Sequence, residues 1–185
     1  MDVMRKNLIC LLLLIFSEII VYAQAEVGDG WDGTVAAKFA GGTGEALDPY
    51  LISDAAQLAK LATDVNNGNT YKDKFFELTA DIVLNNSICK DKDSHINVWQ
   101  PIGSDRNPFM GNFDGQLHSV TGVYVSDNCS CHALFGYLGA DGIIQNLSVI
   151  DSQIGNRGNY RGICCFNNNG SIINCYTSNC VMIDN

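Results

Sequence analysis

The chain has 185 residues, enough for one domain or one short array. Hydrophobic residues make up 46% and charged residues 17%, a composition that supports a buried core. The formal net charge of −9, with no run of Lys and Arg, disfavours nucleic acid and anionic membrane surfaces as partners.

The first segment reads as a secretory leader. Arg5 and Lys6 precede the apolar stretch Leu8–Phe16, and Val21 and Ala23 are small residues suited to cleavage. Ser17 and Glu18 break the apolar run, which disfavours a permanent membrane span. Residues 1–23 are therefore taken as a signal peptide, and 24–50, rich in Gly, as a linker and turn-rich lead-in. The membrane is then met through export alone, and the mature chain is secreted or displayed on the cell surface.

One helix is expected, within 51–68. Ser53 can cap it and Gly68 can end it, while Leu58, Leu61, Ala62 and Val65 recur at i, i+3, i+4 and i+7. Asp54, Gln57, Lys60 and Asp64 fall on the opposite face.

From Phe75 onward the apolar residues come in short runs separated by Gly, Asn and Asp. Three segments align: Ser119–Val125, Gly142–Val149 and Gly170–Thr177. Their inward candidates are Val120, Val123 and Val125, then Ile144, Leu147 and Val149, then Ile172, Cys175 and Thr177. Each triplet is spaced by three and then two. A flat strand alternates faces with period two, so residues three apart share a face only if the chain bends between them. Gly122, Asn146 and Asn174 stand at the bends, and Gly and Asn tolerate positive φ best. A second pattern precedes the last two copies, in which Leu134 matches Ile163. Residues 69–185 are thus expected to form an all-β, right-handed parallel β-helix or β-solenoid, with 51–68 as a short N-terminal capping α-helix.

The segments "ALFGYLG", "GIIQNLSVIDSQI" and "GICCFNNNGSIINCYTSNCV" resemble GLUG-motif repeats of bacterial surface and secreted proteins, with Ala133 and Cys165 in place of two motif glycines. "PFMGNFDGQLHSVTGVYV" is similar to the portion that leads into such arrays. The likeness runs from Phe39 to Val181. It implies an exported module of the kind found in Bacteroidetes, sometimes joined to a peptidase or adhesin. Arrays of this type usually continue for more repeats. The chain ends at Asn185, soon after Thr177, so a product truncated at the C-terminus is expected, the alternative being an open end that is tolerated or closed by self-association.

Candidate chemistry is sparse. Asp81, Asp114, Asp127, Asp141 and Asp151 sit among turn residues, where Asp ordinarily bonds its own backbone, and no facing carboxylate pair of the glycosidase kind is identifiable. His95, His118 and His132 read as loop or corner residues. Cys129, Cys131 and His132 lack a second ligand pair for zinc, so a local disulfide or buried thiols are expected there. After loss of Cys10, seven cysteines remain, and an odd number leaves at least one thiol free or in an intermolecular bond. "DKDSHIN" and "GDGWDG" hold clustered oxygens but do not follow the twelve-residue calcium loop. No catalytic, cofactor or metal residue is assigned. Trp31, Trp99, Tyr124, Tyr137, Tyr160 and Tyr176 are expected to be exposed; by alternation Tyr124 and Tyr176 face outward, read first as β-formers stabilising neighbouring coils and alternatively as ligand-facing aromatics. The expected role is a non-catalytic binding, adhesion or spacing module for glycans or host surface proteins. The alternative is an accessory N-terminal part of a larger exported peptidase or polysaccharide-degrading enzyme.

Overall fold

The computed structural model describes residues 30–86, 96–126, 131–155 and 162–183. The proposed signal peptide, Cys10, Cys89, His95, Asp127, Cys129 and Tyr160 lie outside the described residues, as does most of "DKDSHIN".

The chain winds as a parallel β-solenoid. Strands β1 (Tyr50–Ile52), β2 (Phe75–Leu78), β4 (Asn112–Asp114), β7 (Ile143–Gln145) and β11 (Ser171–Ile173) form a five-stranded sheet in that order. Around one corner, β3 (Ile82–Val83), β5 (Ser119–Thr121), β8 (Ser148–Ile150) and β12 (Tyr176–Ser178) form a second sheet. Two shorter sheets complete the section: β6 (Ala133–Leu138) with β10 (Gly162–Asn167), and β9 (Gln153–Gly155) with β13 (Val181–Ile183). Every strand pair is parallel. Neighbouring coils are therefore about 4.8 Å apart, and equivalent side chains stack in columns.

One column runs Tyr50, Phe76, Phe113, Ile144, Ile172. Phe76, Phe113 and Ile144 are fully buried, and the end members are half-buried. A second column runs Ile82, Val120, Val149, Thr177. The interior is aromatic toward the N-terminal end, where Phe76, Phe109 and Phe135 meet ring to ring at 6.0 and 5.4 Å. It becomes aliphatic toward the other end, with Leu147, Val149 and Ile163.

This register corrects one alignment. Val120 stacks on Val149, not on Ile144, and the partner of Ile144 in the preceding coil is Phe113. Gly122 therefore shares its corner with Asp151 and Asn179, while Asn146 shares the other corner with Asn174. The reason is a degeneracy of spacing. Both corners take the same number of residues, so the triplet Val120, Val123, Val125 fits either one. Val123 sits level with Ser152, whose Oγ accepts from the Val123 amide at 2.9 Å. Both corners use left-handed backbone: φ is 53° at Asn146 and 50° at Asn174, against 77° at Gly122, 46° at Asp151 and 51° at Asn179.

Helix α1 (Ala55–Asn66) takes the place of a strand in the coil between β1 and β2. Leu58, Leu61, Ala62 and Val65 are all buried in the main core. Its N-cap is Asp54 rather than Ser53: the Asp54 carboxylate accepts from the Gln57 amide at 2.8 Å. Ser53 contributes from one position earlier, its amide donating to Gln57 Oε1 at 2.8 Å. At the other end, Asn66 docks the helix on the next coil. Its side chain donates to the Pro101 carbonyl at 3.0 Å and accepts from the Gly103 amide at 3.1 Å, replacing a strand partner. The helix thus covers an edge that would otherwise expose unpaired backbone.

Two boundaries shift from expectation. Leu51 and Ile52, placed with the helix, belong to β1. Within 24–50, the mostly exposed, turn-rich stretch 30–50 docks on the first coil at a few points: Phe39 contacts Tyr50 at 4.8 Å and Phe76 at 5.5 Å, and Gly41 bridges Leu51. Phe39 is partly buried against the first coil, and this apolar contact anchors the lead-in to the core.

Candidate binding surface

The candidate Asp residues Asp81 and Asp114 are engaged with backbone and corner side chains. Asp81 accepts from the Ser119 amide at 2.8 Å, which holds its carboxyl below the usual range, and lies 3.3 Å from His118 Nδ1. Asp114 accepts from the Gln116 amide, from Gln145 Nε2 at 2.7 Å and from Asn146 Nδ2 at 3.0 Å. Asn174 in turn donates to Asn146 Oδ1 at 2.8 Å. The corner is thereby bonded from coil to coil through one Asp and two Asn side chains. Asp141 and Asp151 occupy positive-φ turns.

A hollow of about 420 Å³ is lined by Trp31, Asp32, Asp54 and Asp81 among others. Its carboxylates are already engaged. Asp32 accepts from the Thr34 hydroxyl at 2.6 Å and the Thr34 amide at 2.9 Å, which holds its carboxyl below the usual range. Asp54 caps α1, and Asp81 holds Ser119. Among the described residues no group of three His, Cys, Asp or Glu is placed to hold a metal ion.

The cysteines behave differently from expectation. Cys131 pairs with Cys165, with Cα atoms 5.7 Å apart, so the disulfide joins adjacent coils rather than closing a local loop. Parallel stacking of β10 on β6 brings the two together, which spacing along the chain could not reveal. Cys164, Cys175 and Cys180 are free thiols. Burial pushes Cys164 up to about 12 and raises the other two. His132 is buried next to the disulfide, and its Nε2 has no hydrogen-bond partner among the described residues.

The aromatics divide into three groups. Trp99, expected to be exposed, is 1% exposed and its indole N–H donates to the Leu134 carbonyl at 3.0 Å. Trp31 lies edge-on to it at 5.7 Å, so both serve packing. Tyr124 is half-buried, and Tyr176 is exposed on the last described coil. The two lie on different coils and no contact joins them. Sequence reading passed over Phe166. Its ring stacks on Tyr137 at 4.6 Å with a 23° tilt, because the register places the two residues level on β10 and β6. Phe166 remains 40% exposed. The available signal was the match of Leu134 to Ile163, which puts Tyr137 and Phe166 at equivalent positions.

No family model matches the chain, and no solved structure matches it. The chain is similar to a protein of Evansella cellulosilytica provisionally named as a Gly-rich membrane protein. The two are 30% identical over 147 residues, which is 79% of this chain and 15% of that protein. The chain therefore spans about one seventh of the length of the curated relative it matches. Among the described residues, no helix is long and apolar enough to cross a membrane.

Proposed function

We propose that this chain is a non-catalytic β-solenoid module of a secreted or cell-surface protein, with a binding, adhesive or spacing role. The observation that carries the reading is the Cys131–Cys165 disulfide between stacked coils. Disulfides persist in oxidising compartments, which agrees with the leader-like residues at the N-terminus. The engagement of Asp81 and Asp114 with backbone and corner groups favours a structural use for both carboxylates. The GLUG-like texture of the last two coils and the membrane-protein name of the relative point toward the cell envelope. Glycans and host surface proteins are the partners that suit an acidic exported surface.

The second reading is an accessory part of a larger exported enzyme. It is favoured by the length of the relative, of which this chain matches a small share.

Expression with the native N-terminus, followed by fractionation and thiol alkylation, tests the first reading. The expected product is extracytoplasmic, shortened at its N-terminus and oxidised at Cys131 and Cys165. Cytoplasmic retention with every thiol reduced would refute it. Peptide or polysaccharide turnover abolished by one Asp or His substitution would refute the non-catalytic role.

A further inference from the structure

We infer that the Tyr137–Phe166 stack and the hollow beside it form a binding site for a neutral carbohydrate; this rests on the binding role proposed above and names its ligand. The hollow is about 520 Å³ and is lined by Asp105, Pro108, Tyr137, Phe166, Asn167 and Asn168 among others. That volume accommodates one or two pyranose rings, within the ordinary range for small-ligand sites. The aromatic pair is a platform rather than a cage. Its rings lie nearly parallel and 4.6 Å apart, so they present a continuous apolar strip and do not converge on a point cation. Phe166 borders the hollow and remains 40% exposed, so its ring offers apolar surface there. A pyranose ring has an apolar C–H face that packs against such a strip, and its hydroxyls then point to the rim.

The rim matches hydroxyls. Asn168 donates its backbone amide to the Leu138 carbonyl, leaving its exposed side-chain amide free to donate and accept. Asp105 is exposed and its carboxylate accepts. Asn167 is not a contact residue: its side chain bonds both the amide and the carbonyl of Gly170, fixing the turn that positions Asn168. Among the described lining residues there is no Lys, Arg or His, and the carboxylate repels anions. Sulfated and uronic glycans are therefore disfavoured.

The test is calorimetric titration of the full-length chain with cellohexaose, maltohexaose and N-acetylchitohexaose, with heparin and choline as charged comparisons. At least one neutral hexasaccharide is expected to bind with a sub-millimolar Kd. Phe166→Ala weakens that binding at least tenfold, Asn168→Ala three- to tenfold, and Phe166→Trp restores it. Tyr176→Ala, on a different sheet, leaves it unchanged. Far-UV circular dichroism confirms the fold of each variant. The site is rejected if no neutral saccharide binds, if Phe166→Ala binds as well as wild type, or if heparin or choline binds in preference. Saccharide binding lost in Tyr176→Ala or Tyr124→Ala but kept in Phe166→Ala also rejects this site, while leaving the glycan-binding role of the module standing.

Discussion

The side-chain amide of Asn85 donates to the carbonyl of Gly122 at 2.7 Å, and a Cβ on Gly122 would overlap the Asn85 backbone. Two successive coils approach closely here. Asn85 is buried, and it also bonds both backbone groups of Asn97. Gly122 adopts φ 77° at this point, so both the missing side chain and the left-handed backbone are required.

Gly122→Ala is therefore expected to destabilise the chain by more than about 2 kcal/mol, combining a strained φ with a backbone clash. Asn85→Ala removes three bonds to backbone groups, the Gly122 carbonyl buried and both Asn97 groups half-buried, and costs about 1–3 kcal/mol. Urea unfolding followed by circular dichroism measures both. A Gly122→Ala variant as stable as wild type would show that the corner can open without loss.

The Asp114, Asn146 and Asn174 chain separates backbone from side-chain effects. Asn146→Gly keeps φ 53° accessible and loses only the amide bonds, an expected cost of about 1 kcal/mol. Asn146→Ala also strains the corner and costs roughly 1 kcal/mol more. Equal stability of the two variants would mean that the bend contributes nothing.

The Cys131–Cys165 disulfide closes a sequence separation of 34. In the chain-entropy account a loop of this length contributes about 3–4 kcal/mol. The double variant Cys131→Ser, Cys165→Ser should lower the urea midpoint accordingly. Non-reducing peptide mapping that finds Cys165 joined to Cys129 would overturn the pairing.

Cys164 gives the chain an alkaline limit. Its folded value, about 12, lies above the ordinary thiol value of 9.0 because burial disfavours the thiolate. The unfolded chain releases this proton first, so stability is fully present below pH 9 and declines as pH rises toward 12, by up to about 1.4 kcal/mol per pH unit. Cys164→Ala should flatten that part of the pH profile. At pH 8, a thiol reagent should modify Cys175 and Cys180 before Cys164, read by peptide mass spectrometry.

Stability should also grade along the solenoid axis. Phe113 is packed between coils against Phe135 at 5.3 Å, whereas Ile172 is half-buried on the last described coil. Phe113→Ala is expected to cost about 3–5 kcal/mol, and Ile172→Ala markedly less. Amide exchange should be slowest in β4 and β5 and fastest in β11 and β12. Uniform protection would argue that something else covers the last coil.

Much of this was legible from local pattern. The helix face from Leu58 to Val65 follows from period, and its cap was misplaced by a single residue because Ser53 and Asp54 are both competent caps. Asn146 and Asn174 were readable as bends because few other residues tolerate positive φ. The Asn85–Gly122 contact and the Trp99 burial were not readable, whereas the Tyr137–Phe166 stack was implied by the match of Leu134 to Ile163. The first two join residues on different coils, and the stacking register had to be known first.

The sequence by itself determined that this chain winds: short apolar runs with Gly and Asn at three-then-two spacing cannot bury one face without turning corners. Which corner each run turns, which cysteines meet, and which aromatic rings face outward were decided by the stacking register. A corner motif repeats within one coil as well as between coils, so spacing alone fits two registers. Packing of Phe113 on Ile144 and of Val120 on Val149 selects between them, because burial across coils is the interaction that distinguishes them.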